Sequence, residues 1–206
     1  MKISEKQIKS INRIRQEVSF KPEFLQSRIL AENSARVLLD NKAGRFTVYD
    51  LELFLNHCNT ERIPLKSEPT KIRENETLKR FGVAFIGQNR RLMVNALREC
   101  NYWIGSLWKT NDDPFNILSQ FWKLNEVPGA GMGLPTMILY LKNPAVYNVW
   151  LPFLNTALSQ FTGQILSSKR NAENYYTYNS ILNKELREPF DLKPQEIDYI
   201  IFRISF

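Results

Sequence analysis

Apolar residues recur at three- and four-residue spacing along most of this chain, the signature of helices that bury one face. Ile3, Ile8, Ile11, Ile14 and Val18 form the first series and predict a first helix. Pro22 suits the opening position of a second helix, running to about Asp40 and closed by Gly44. "TVYD" at 47–50 has the form of a capping box, a threonine N-cap with an acid three residues on, and starts a helix carrying Leu51, Phe54 and Leu55. Residues 59–75 are polar, contain Pro64 and Pro69, and read as a connection. Further helices are predicted at about 75–85, 89–107, 112–124, 134–142, 148–161, 171–187 and 194–204. Only "GVAFI" at 82–86 alternates, and it reads as a helix end or a short extended piece. The expected fold class is all-α, a multi-helix bundle. No internal repeat divides it, so residues 1–206 are taken as one helical domain: N-terminal helices over 1–58, the connection, and a core over 76–206.

Charge is distributed unevenly over that pattern. The chain of 206 residues carries a net +7, and the whole excess lies in residues 1–100, with 19 Lys and Arg against 12 Asp and Glu. Between Arg62 and Arg98, nine bases face only Glu68, Glu74 and Glu76. Such a segment can hold a phosphate backbone by releasing its counterions, and aromatic residues lie near it in sequence. Lys79, Arg80, Arg90 and Arg91 are the candidate phosphate contacts. By contrast, Val127–Ser168 contains a single charged residue, Lys142, which marks that stretch as the centre of the core.

Several chemistries lack material. Cys58 and Cys100 are too few for a disulfide framework and read as small buried hydrophobes in a reducing compartment. His57 is the sole histidine, so no zinc site of mixed ligands is expected, and no cluster of acids suggests a metal-dependent nuclease. No cofactor is expected. The start of the chain lacks a signal-peptide core, and no apolar run of 18 residues occurs, so a cytoplasmic protein without a membrane partner is expected. Glu196 and Asp198, in the first turn of the last predicted helix, read as partners of its dipole.

The segment "VPGAGMGLPTMILYLKNP" at 127–144 poses the sharpest question. Gly129, Gly131 and Gly133 permit positive φ and close backbone approach, and Pro135 and Thr136 sit in the first turn of a helix. The unpaired amides of a helix start form a natural anion site. No Lys-Ser/Thr pair follows, as a Walker loop requires, and no strand precedes, as a dinucleotide fingerprint requires. The alternative is a tight interhelical turn whose glycines let helices pack closely.

"FWKLNEVPGAGMGLPTMILYLKNPAVYNVW" resembles the helix-hairpin-helix segment of DNA glycosylases, here spanning about 112–142. The resemblance implies that Val127, Pro128, Gly129, Ala130 and Gly131 form the hairpin, that Thr136 opens its second helix, and that backbone amides hold a DNA phosphate. It also exposes departures. The family's aspartate would fall within "AVYNVWLPF", which has no acid; Asn148 is the nearest polar residue. The hairpin contains no lysine. An amide cannot stabilise an oxocarbenium ion or activate water as a carboxylate does.

The closing "YYTYNSILNKELREPFDLKPQEIDYIIFRIS", with "ALRECNYWIGSLW", is similar to N-terminal DNA-reading regions of McrB-type AAA+ restriction proteins. That likeness implies recognition of modified or flipped bases on behalf of a motor or nuclease subunit. Tyr147, Asn148, Trp150, Trp103 and Trp108 are the candidate base pocket, although aromatics at helical spacing are more often core. The expectation is therefore a non-catalytic module binding duplex DNA. A divergent glycosylase and a helical protein-interaction domain are the alternatives.

Overall fold

Ser4 starts the first helix with a side chain that accepts from the Gln7 amide, while the Gln7 side chain answers on the Ser4 backbone. The computed structural model describes residues 4–16, 22–59, 85 and 87–204. The predicted connection at 59–75, the helix at 75–85 and the "GVAFI" piece therefore fall almost wholly outside the described residues.

Helix α1 spans Glu5–Ile14, α2 Pro22–Lys42 and α3 Val48–Asn59. Ile11 and Ile14 are buried, whereas Ile8 is exposed. Gly44, at φ +84°, ends α2 in the left-handed region that glycine favours. The capping box at 47–50 is formed as its spacing predicts: Asp50 Oδ2 accepts from the Thr47 amide at 3.0 Å, and Thr47 Oγ1 accepts from the Asp50 amide at 3.2 Å.

The single helix predicted over 89–107 is two helices, α4 (Gly87–Asn95) and α5 (Leu97–Lys109). Ala96 interrupts them at φ −101°, ψ 39°. The carbonyl of Met93 receives two substitutes there, the Ala96 amide at 3.2 Å and the buried Cys100 thiol at 3.3 Å. The break is sustained by a side chain from the following helix, which no local sequence signal announces.

Helices α6 (Phe115–Leu124), α7 (Gly133–Lys142), α8 (Pro152–Thr162), α9 (Ala172–Leu182) and α10 (Ile197–Ile204) complete the order, with a π-helical turn at Asn183–Arg187 extending α9. Residues 132–141 are buried without interruption, so α7 is apolar on every side and central to the bundle, as the near-absence of charge over 127–168 requires. It packs against α5 and α2. Helix α8 starts later than predicted because Leu151 is extended and Pro152 takes the first helical position. Among the described residues there is no strand, and no helix is long and apolar enough to cross a membrane. The fold is an all-α multi-helix bundle.

The interior also holds charge. Arg28 on α2 is buried, with Nη2 2.5 Å from Asp198 and Nη1 donating to the Gln195 carbonyl. Glu32, one turn on, accepts from Tyr140 Oη at 2.7 Å and from Gln195 Nε2 at 2.9 Å. Asp198 thus has a second role beyond the dipole of α10, and Glu196 accepts from the Lys193 amide at 2.8 Å.

Candidate nucleic-acid interface

The turn between α6 and α7 is built by unlike glycines. Asn125 caps α6 in the left-handed region at φ 50°, and Val127, Ala130 and Met132 anchor the turn in the core. Gly129 has φ +86°, and a Cβ there would lie 2.4 Å from the carbonyl oxygen of Asn89 on α4. Gly131 has φ +54° with open space around it, and its own carbonyl accepts from Trp122 Nε1 at 3.1 Å. Gly133 is buried; a Cβ would press on Leu151 at 3.2 Å and Phe85 at 3.5 Å.

Gly133 and Thr136 are therefore removed from the candidate phosphate contacts, because neither reaches the surface. Thr136 Oγ1 donates to the Met132 carbonyl at 2.8 Å and accepts from the Trp150 amide at 3.0 Å, tying the start of α7 to the 147–151 segment. Gly129 and Gly131 remain partly exposed. The turn thus both starts a buried helix and leaves a piece of backbone at the surface.

Of the bases, Lys79 and Arg80 lie outside the described residues. Arg90 is committed to α3: its guanidinium donates to Asn56 Oδ1 at 2.8 Å and to the Glu52 carbonyl at 3.2 Å, with the Glu52 carboxylate 3.5 Å away. Arg91 is exposed on α4. Arg98 and Lys109 are exposed on α5, and so is Arg45 on the loop after α2. That loop is docked on α5. A Cβ on Gly105 would lie 3.0 Å from Gly44 Cα, and Asn101 bonds both the amide and the carbonyl of Phe46, at 2.6 and 2.8 Å. The Lys109 ammonium lies over the same loop, 3.7 Å from where a Gly44 Cβ would be.

The aromatic candidates separate by burial. Trp103 and Trp150 are 2% and 0% exposed, so neither ring has an open face for a base. Trp103 Nε1 donates to Glu126 and Trp150 Nε1 to Asn155, at 3.2 and 3.1 Å, as buried indoles require. Trp108 is half-buried and donates to Asp40 at 3.2 Å. Tyr102, beside Trp103 in sequence, is 61% exposed, its ring set edge-on to Trp103 at 4.9 Å between centroids. It is the accessible aromatic of α5. The stripe Cys100, Trp103, Ile104, Leu107 identifies the core face and leaves Tyr102 outside it, a signal present in the sequence.

Tyr147 is half-buried and lines a cavity of about 230 Å³ with Thr110, Asp112, Lys142 and Asn143. Burial, aided by Asp113, raises its phenol above the usual range. Burial alone lowers Lys142, whose ammonium donates to the Leu107 carbonyl at 3.2 Å and to the Thr110 carbonyl at the end of α5. This cavity lies at the opposite end of α7 from the glycine turn.

Asn148 is buried in a clasp of amides, and its own Oδ1 is buried without a hydrogen-bond partner. Its Nδ2 donates to Asn179 Oδ1 at 2.7 Å and Asn183 Oδ1 at 2.9 Å. The Asn179 oxygen also accepts the Asn148 amide at 2.9 Å, which fixes the orientation of both side chains. Around it, one face of α9 and its π-helical extension holds the 144–149 carbonyls: Tyr175 donates to Asn148, Tyr178 to Val149, Asn179 and Asn183 to Val146, and Arg187 to Pro144 and Ala145.

Burial, with Glu99 nearby, pushes the Cys100 thiol up to about 12, far from a reactive thiolate. Among the described residues, no three His, Cys, Asp or Glu side chains converge as metal ligands do. No family model, curated protein or solved structure matches the chain.

Proposed function

We propose that this chain is a non-catalytic DNA-binding module that grips phosphates with the 127–131 turn and the adjoining basic helices. The observation that carries the reading is the contact of Gly129 with Asn89, which sets the turn against the helix bearing Arg91. A backbone anion site and a basic helix are thereby neighbours, the combination that holds a phosphate backbone without reading its sequence. Arg91 and Arg98 replace Arg90 as the leading contacts, since Arg90 is held by α3. The resemblance to a helix-hairpin-helix supports the same reading, and the clasp around Asn148 supports the absence of glycosylase chemistry. In this reading the chain lends recognition to a separate motor or nuclease.

Titrating labelled DNA at several salt concentrations tests it. Arg91→Glu with Arg98→Glu is expected to weaken binding to all sequences about equally and to flatten the salt slope by roughly one unit per lost contact. No release of any base is expected when binding is saturated. An unchanged slope in the double variant would overturn the assignment of the surface, and single-turnover base excision would overturn the absence of catalysis.

A further inference from the structure

We infer that the outer stripe of α5 takes single-stranded DNA, with a base stacked on Tyr102 and flanking phosphates on Arg98, Arg45 and Lys109. The inference rests on the DNA-binding reading and narrows it from duplex to unpaired strand. At 100° per residue, Arg98, Tyr102 and Lys109 fall within about 40° of one another on the helix, and they extend over roughly 16 Å of its length. Gly105 lies in the same stripe and is covered by the 43–46 loop, on which Arg45 is exposed with its guanidinium donating to the Asn41 carbonyl at 2.7 Å.

Among the described residues, no ion pair joins an acid to Arg98, Arg45 or Lys109. Asp50 is paired with Lys42 at 2.7 Å and bonded to Thr47, while Asp40 accepts from the neutral indole of Trp108 and keeps its charge. Glu99 sits about 100° round the helix from Arg98. The form of the surface decides the kind of DNA. Tyr102, 61% exposed on the outside of a helix, offers an open platform on which a base can stack. Paired bases keep their faces inside the stack, whereas each unpaired base presents one, and stacking tolerates any sequence.

The test measures fluorescence anisotropy of a labelled single-stranded oligonucleotide and of its duplex, on the full chain. Single strands are expected to bind more tightly than the duplex. Tyr102→Ala is expected to weaken single-strand binding about tenfold or more, with little effect on the duplex, and Tyr102→Trp to preserve it. Circular dichroism melts check that both variants fold, which an exposed position favours. Binding that ignores Tyr102→Ala, or a duplex bound as tightly as the single strand, would overturn this inference and leave the DNA-binding reading standing. No binding to either DNA would overturn both.

Discussion

Substituting alanine at Gly129 and at Gly131 separates two physical roles that the sequence shows as one motif. Both residues have positive φ, +86° and +54°, so a Cβ at either position costs about 1 kcal/mol through the backbone. At Gly131 that is the whole folding cost, because nothing lies within 4 Å of the added carbon. At Gly129 the carbon would sit 2.4 Å from the Asn89 oxygen and 3.0 Å from its carbonyl carbon and Cα. Those are backbone atoms of α4, and no side-chain rotation relieves the clash. Separating the turn from α4 adds roughly 1–3 kcal/mol of overpacking. For a chain of this length, 1 kcal/mol shifts the melting temperature by roughly 2–4 °C. Gly131→Ala is therefore expected to melt a few degrees low and Gly129→Ala at least twice as far down. Thermal melts and DNA affinity are measured on the same preparations. The proposed phosphate contact requires folded Gly131→Ala to lose affinity beyond its small loss of stability. Equal melting temperatures for the two variants would refute the packing argument. Undiminished affinity in Gly131→Ala would show that the turn serves only to start α7.

Two other perturbations test the polar framework. Asn148→Asp replaces a double donor by a carboxylate that faces two amide oxygens, and is expected to destabilise the chain by roughly 3–5 kcal/mol in denaturant titrations at pH 7. A variant as stable as the parent would show that the clasp is not formed. Asp50 has its carboxyl lowered to about 2, first by Lys42 and then by Thr47. Its contribution to stability should be complete above the unfolded value near 4 and disappear as pH falls toward 2. Asp50→Asn should flatten stability across that window, and an unchanged pH profile would discount the Lys42–Asp50–Thr47 network.

The parts of the fold governed by local chemistry were legible in the sequence. The capping box at Thr47 and Asp50, the left-handed Gly44 and the run over 127–168 with Lys142 as its single charge each led to the observed element, because each acts within one turn or one face. What escaped depended on partners far along the chain. The break at Ala96 is supported by Cys100 from the next helix, and the burial of Gly133 depends on Leu151 and Phe85. Arg90 offered the same charge as Arg91, yet α3 engages one and leaves the other exposed. Trp103 is 2% exposed and Tyr102, its neighbour in sequence, 61%. A step of one residue turns a side chain by about 100°, enough to carry it from the core to solvent.

The surroundings of residue 148 decide which side chain the position can hold. A carboxylate there would need donors to stabilise it. In this chain the 144–149 segment has no regular structure, so its carbonyls need outside partners. Tyr175, Tyr178, Asn179, Asn183 and Arg187 supply them from successive turns of one helical face. With those donors pointing at backbone oxygen, what remains to meet residue 148 is the acceptor end of Asn179 and Asn183. An asparagine fits because its amide group donates twice; a carboxylate would find two oxygens and no donor. Placing an acid at 148 would thus require new donors on α9 as well, and those would release the loop that the present ones hold. The amide at 148 is the consequence of using that face to support the backbone.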